Sequence, residues 1–136
     1  MNIIMKWYCT NIEQDTIANE YFRKVLYTGK HMQLVLMSLE PWEDIWEEIH
    51  EGNDQFFRWE SWQWLCIIDE NRYEISDGFV VVIPSGTKHN IINTSDTQDL
   101  KMYTIYSPPH HQDGIIRETK KEAEDNEADF DGRTTE

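Results

Sequence analysis

Positive charge is scarce in this sequence: 12 Lys and Arg stand against 26 Asp and Glu, a net charge of −14. Nucleic-acid binders cluster basic residues against phosphates, so the expectation is no nucleic-acid partner. An anionic membrane surface would repel the chain for the same reason. Cysteine is as sparse. Cys9 and Cys66 lie far apart with no CxxC spacing, which excludes a zinc ribbon or a disulfide framework. Two reduced thiols of a cytosolic protein are expected instead. No apolar run approaches the roughly 18 residues that a membrane-spanning helix needs. The opening MNIIMKWYCTNIEQD has a short apolar stretch and early acidic residues, and does not read as a signal peptide. A soluble, cytoplasmic protein with a small-molecule ligand is the expectation.

Helical periodicity is also hard to find. Short β-rich runs recur at Phe22–Tyr27, Met32–Leu39, Phe56–Trp59, Leu65–Ile68, Phe79–Ile83, Asn90–Ile92 and Met102–Tyr106. Turn residues separate them, as in Thr28-Gly29-Lys30, Glu51-Gly52-Asn53-Asp54 and Ser76-Asp77-Gly78. This punctuation predicts an all-β sandwich or barrel rather than βαβ units. The Asp69-Glu70-Asn71 turn predicts a tight hairpin between Leu65–Ile68 and Arg72–Ile75. No internal repeat is visible, and 136 residues fit one domain. Residues 1–21 read as a lead-in, 22–111 as the barrel and 112–136 as a tail. From Glu118 onward the acidic excess leaves too little apolar surface to offset ordering entropy, which predicts disorder beyond a helical turn at Thr119–Ala123.

The most informative stretch runs from Gly78 through Pro84, Gly86 and His89 to Asn93. It reads as a turn glycine, a buried strand, a Pro-x-Gly turn and a second strand opening on His89. A metal ligand needs such aim from a fixed backbone position. Upstream, Glu48 and His50 are two apart, so on a strand both side chains face the same way. A turn at Glu51–Asp54 would bring Gln55 back beside them, with Asp54 as the competing ligand at shorter spacing. Two His and one carboxylate suit Fe(II) and related divalent ions with positions left open, and Gln55 adds a neutral oxygen. Fe, Mn, Zn, Ni and Co all fit that donor set.

The downstream stretch resembles the second motif of the cupin superfamily, G-x5-P-x-G-x2-H-x3-N, at every specified position. The first cupin motif, G-x5-H-x-H-x3-4-E-x6-G, then falls on residues 42 to 62. Glu48 stands for the first His, His50 matches the second, and Gln55 takes the Glu position. The resemblance covers residues 22 to 107. It implies a double-stranded β-helix, or jelly-roll barrel, with one divalent ion on Glu48, His50, Gln55 and His89. It also implies a homodimer formed by sheet extension, for which Phe22 to Leu39 would supply the edge.

Other candidates lie around this set. His110 and His111 follow Ser-Pro-Pro; neighbours on an extended chain face opposite ways, so at most one is expected at the pocket, and a loop leaving the barrel is the plainer reading. Arg23, Phe57, Lys101 and Tyr103 are placed on the barrel wall or pocket lining, and Arg58, beside the barrel mouth, in a surface ion pair, with a substrate anion as the alternative partner.

Four tryptophans stand out. Trp42, Trp46, Trp62 and Trp64 fall on glycine slots of the small cupins that the chain resembles. A bulky residue in a left-handed slot costs roughly 1–2 kcal/mol. UGA differs from GGA by one base, and some bacteria read it as Gly while common alternative codes read Trp. That reading would turn four native glycines into tryptophans; deliberate substitution and genuine tryptophan usage are its rivals, and ordinary UGG codons at these positions would sink it. Trp46 shares strand parity with Glu48 and His50, so its indole is expected to crowd the pocket.

A cupin is a fold and a metal site before it is an activity. The resemblance to mannose-6-phosphate isomerase-like cupins implies a metal-dependent isomerase acting on a sugar or sugar phosphate, with Glu48 or a metal-bound water moving the proton. The alternatives are an Fe(II)-dependent dioxygenase, distinguished by oxygen uptake with iron only, and a non-catalytic metal or small-ligand binding module, distinguished by retention without turnover.

Overall fold

The computed structural model describes residues 6–60 and 64–136. In chain order its elements are α1 (Ile12–Ala18), β1 (Arg23–Thr28), β2 (Gln33–Leu39), β3 (Asp54–Trp59), β4 (Trp64–Ile68), β5 (Asn71–Ile75), β6 (Val80–Ile83), β7 (His89–Ile92), β8 (Leu100–Ser107), β9 (Ile116–Arg117) and α2 (Lys120–Asp125). A six-stranded sheet in the order β6-β3-β8-β2-β1-β9 faces a three-stranded sheet, β5-β4-β7. Every pair is antiparallel, as in the jelly roll that the motifs imply.

Alternation explains why these runs pair this way. Along β8 buried and half-buried residues alternate, with Leu100, Met102, Thr104 and Tyr106 inward. Their strand neighbours Val35, Leu39, Phe57 and Trp59 close the same core, which Cys66 and Ile91 complete from the smaller sheet. The predicted hairpin forms, with Ile68 opposite Asn71 and Asp69 at φ 51° in the two-residue turn.

Both ends of the chain add elements to the barrel. The lead-in holds α1, whose N-cap Asn11 accepts from the Gln14 amide and which packs against β8. The tail has the helical turn expected at Thr119–Ala123, as α2 capped by Thr119, but the disorder expected around it is corrected by β9, which pairs with β1. Composition missed it because its anchors are few: Ala123 is buried, Lys120 pairs with Asp44, and the Thr135 amide donates to Thr28 O. The 22–39 segment is also partly covered, since β2 lies between β1 and β8 and β9 pairs with Arg23 and Lys24 of β1.

Candidate metal centre

The two motifs meet where residues 42–48 run beside β7 as an irregular strand. Backbone bonds join Glu48 N to His89 O and His89 N to Glu48 O, both 2.9 Å. This closed pair fixes Glu48 opposite His89. The Pro84-Ser85-Gly86 turn sets the other side: Gly86, at φ 83°, adopts a backbone that L side chains rarely do, and its amide donates to His50 O. His50 and His89 are thereby tied to each other through main-chain contacts before any side chain is considered.

Glu48, His50 and His89 converge so that one ligand atom from each lies within 4.8 Å of the others. The His50 Nε2–H donates to Glu48 Oε2 at 2.9 Å, and the two imidazole rings sit 5.4 Å apart. His89 is 2% exposed and His50 8%. The His89 Nδ1–H donates to Thr87 O at 3.0 Å, which fixes the tautomer and leaves Nε2 as the lone-pair nitrogen. That Nε2 is buried without a hydrogen-bond partner. Burial also holds the His89 pKa below the ordinary 6.5, with Thr87 O opposing, so the ring is neutral as a ligand must be.

Gln55 is 2% exposed on β3. Its Nε2 donates to Thr104 Oγ1 at 3.0 Å, leaving Oε1 buried and unpaired. It stands opposite Tyr106, whose ring packs edge-on to His50. Orphaned buried acceptors are uncommon because each loses its solvation uncompensated, about 1–3 kcal/mol. Two of them, on His89 and Gln55 beside a carboxylate and a second imidazole, fit a divalent cation. Asp54 points to solvent and accepts from the Ser85 amide, so it does not compete.

A cavity of about 520 Å³ opens over Glu48 and His50. His110 and His111 both line it, contrary to the expectation of one at most. Past Ser107 the chain is no longer a strand, so alternation lapses. Buried Gln33 instead gathers both residues, its Oε1 accepting from the His110 and His111 amides and its Nε2 donating to His111 O. The His110 ring lies 4.5 Å from that of His50. Burial lowers the His110 pKa, and that of His111 well below 6.5. Cys66 is buried and its thiol is pushed up to about 12, which removes it as a nucleophile.

Trp42 and Trp46 hold φ of 63° and 67°, as glycine slots require. Trp64 instead sits in regular β4 and is buried, and Trp62 lies outside the described residues. Trp46 lines the cavity as expected, but its Nε1–H is turned to Glu124 of α2, with Lys120 4.9 Å over its ring.

These buried imidazoles set a pH dependence for the metal-free protein. Folded pKa values below 6.5 mean that the unfolded chain binds more protons, so stability is full above about pH 6.5 and falls as pH drops toward the folded values. Relief of the −14 net charge works the other way, and added salt screens that surface effect more than the buried one. The urea midpoint in high salt is expected to fall between pH 7.5 and 5.5; a rise would contradict the neutral-histidine assignment.

Fold and site define a small antiparallel jelly roll with a Glu/His/His cluster able to hold a metal ion. The Cupin domain family matches residues 35–106. The chain is 41% identical to the uncharacterized protein YrkC of Bacillus subtilis over 133 residues, covering 90% of this chain and 71% of that protein. A crystal structure of BH2720 from Bacillus halodurans matches with TM-score 0.85 and 40% identity, over 88% of this chain and 94% of that one. The chain belongs to the cupin family. A sugar phosphate isomerase from a cupin superfamily, from Silicibacter pomeroyi, shares the fold at TM-score 0.55 and 18% identity, over 63% of this chain and 59% of that one. Among the described residues no helix is long and apolar enough to cross a membrane.

Proposed function

We propose that this protein is a metal-dependent isomerase acting on a sugar or sugar phosphate. The observation that carries the reading is the pair of orphaned buried acceptors, His89 Nε2 and Gln55 Oε1, beside the Glu48–His50–His89 cluster and its cavity. Glu48, His50, Gln55 and His89 would hold one divalent ion (Fe, Mn, Zn, Ni or Co), which supplies Lewis acidity toward a carbonyl or hydroxyl oxygen. Glu48, which lines the cavity and is only partly buried, moves the proton between adjacent carbons. His110 lines the same cavity, its ring 4.5 Å from that of His50. A fold shared with the Silicibacter pomeroyi protein is consistent with this chemistry.

The test is metal analysis of protein purified without chelator, followed by an aldose–ketose interconversion assay over a sugar and sugar-phosphate panel. Turnover that follows metal loading is expected. Ligand retention without turnover makes the chain a binding module, and oxygen uptake restricted to the iron form makes it a dioxygenase.

We also propose a homodimer paired along β6, an outer strand of the larger sheet, where Phe79, Val80 and Val82 are exposed, Val82 by 63%. Light scattering is expected to give twice the 16.3 kDa chain mass, falling to one chain with Val82→Lys. A monomeric unsubstituted protein overturns it.

A further inference from the structure

Arg23 opens β1, on the same face as core residue Val25, so its side chain enters the barrel rather than solvent. It lines the cavity beside His110 and His111 and is 9% exposed. Its Nε is buried without a hydrogen-bond partner, and among the described residues no carboxylate lies within 4.0 Å of the guanidinium. The guanidinium lies 5.6 Å over the Phe22 ring, a contact that attracts the cation without neutralising it. An arginine this buried with no ion-pair partner is uncommon, because it loses hydration on burial and cannot shed its charge by deprotonating. Chains that keep one give it an anion.

Among the described residues no neighbouring side chain serves as that anion. Glu48 is engaged by His50, and Glu124 accepts from Trp46. Glu124, Glu127 and Asp129 line the cavity but are exposed to water, where ions screen them over roughly 8–10 Å. His110 and His111 carry no negative charge. The missing partner must therefore come from the ligand.

We infer that Arg23 is an anion subsite that selects a ligand carrying one carboxylate. A single negative charge balances the one guanidinium. Glu124, Glu127 and Asp129 border the cavity outside the proposed metal cluster, and the second negative charge of a dianion such as phosphate would add to their repulsion. The guanidinium fork matches a carboxylate in bidentate geometry, which a lysine ammonium does not. This narrows the substrate to a hydroxy or sugar acid, and it rests on the proposed isomerase reading only in placing the hydroxyl-bearing end of that acid at Glu48, His50 and His89.

The test compares 4-hydroxybutyrate with butane-1,4-diol, which share a carbon skeleton and differ at one carboxylate, by ligand-observed NMR titration of the metal-loaded protein, with inorganic phosphate as a third arm. The acid is expected to bind roughly 10–100-fold more tightly than the diol, as a charge-assisted contact implies. Arg23→Met is expected to abolish that preference and Arg23→Lys to retain part of it. Equal affinities in the unsubstituted protein overturn the proposal even if Arg23→Met does not fold, as does a preference that survives in Arg23→Met. Phosphate bound more tightly than the acid overturns the single-charge assignment. Metal content separates the two readings: failure to load metal sinks the isomerase proposal, whereas a missing acid preference with metal bound sinks only the anion subsite.

Discussion

His89→Ala is expected to abolish metal binding, with divalent-ion affinity falling by more than the roughly 10–100-fold typical of losing a mere supporting partner of a metal ligand. The ring is the most constrained member of the cluster: its Nδ1 is committed to Thr87 O, and its Nε2 has no other partner to leave. A bound ion at about 1,000 times its Kd stabilises the fold by about 4 kcal/mol, and that increment is expected to disappear in the variant. The metal-free variant behaves differently. Alanine leaves a cavity, but it also removes a buried acceptor whose desolvation costs about 1–3 kcal/mol, so the two effects partly cancel. The checking measurement is therefore a pair of thermal melts, with and without added ion, alongside metal titration. His50→Ala is expected to follow His89→Ala. Gln55→Leu is expected to lose less, because it deletes a neutral oxygen and frees Thr104. An ion-induced Tm shift that survives in His89→Ala would place the metal elsewhere.

The downstream motif was readable because its residues specify backbone geometry directly. Gly86 at positive φ and the strand opening on His89 are local consequences of local letters. The upstream half was readable only by spacing. Glu48, His50 and Gln55 occupy the expected places although the chain around Glu48 is held by single bridges rather than by a regular strand. The strand-parity argument for Glu48 and His50 thus brings together two residues that do converge with His89, by a geometry that the chain only approximates. Alternation does not predict His110 and His111, because it ends with β8, beyond which Gln33, 77 and 78 residues away in sequence, controls the backbone. No local pattern announces such a clamp. Composition failed at the tail for a related reason: the disorder argument weighs average burial, whereas Ala123, Thr135 and the Lys120–Asp44 pair anchor it through single contacts. Arg23 was visible as a pocket candidate, but its lack of a partner is a tertiary fact.

Three tryptophan-to-glycine substitutions are expected to move stability in different directions, although the sequence pattern treats their positions alike. At Trp42 the φ of 63° strains a side chain that is 62% exposed and, among the described residues, hydrogen-bonded to Asp96 alone. Relief of roughly 1–2 kcal/mol outweighs the loss of that surface contact, so Trp42→Gly is expected to stabilise by about 1 kcal/mol, or about 4 °C in Tm. Trp46 has the same strain at φ 67°, but its indole packs edge-on to Phe22, donates to Glu124 and lies under Lys120. Those contacts and the strain are of similar size, so Trp46→Gly is expected to be nearly neutral in global stability while raising amide exchange across α2, whose wall of the cavity loses its tether. Trp64 has no positive φ and packs against Trp59 in the core. Removing it forfeits about 3–5 kcal/mol of burial, against about 1–3 kcal/mol regained because its indole N–H is buried without a partner. Trp64→Gly is therefore expected to destabilise by about 2 kcal/mol, the largest stability change of the three. Urea melts of the three single variants decide the matter. Destabilisation by Trp42→Gly would refute the strain assignment, and stabilisation by Trp64→Gly would mean that the core is shaped around a residue smaller than the one now filling it.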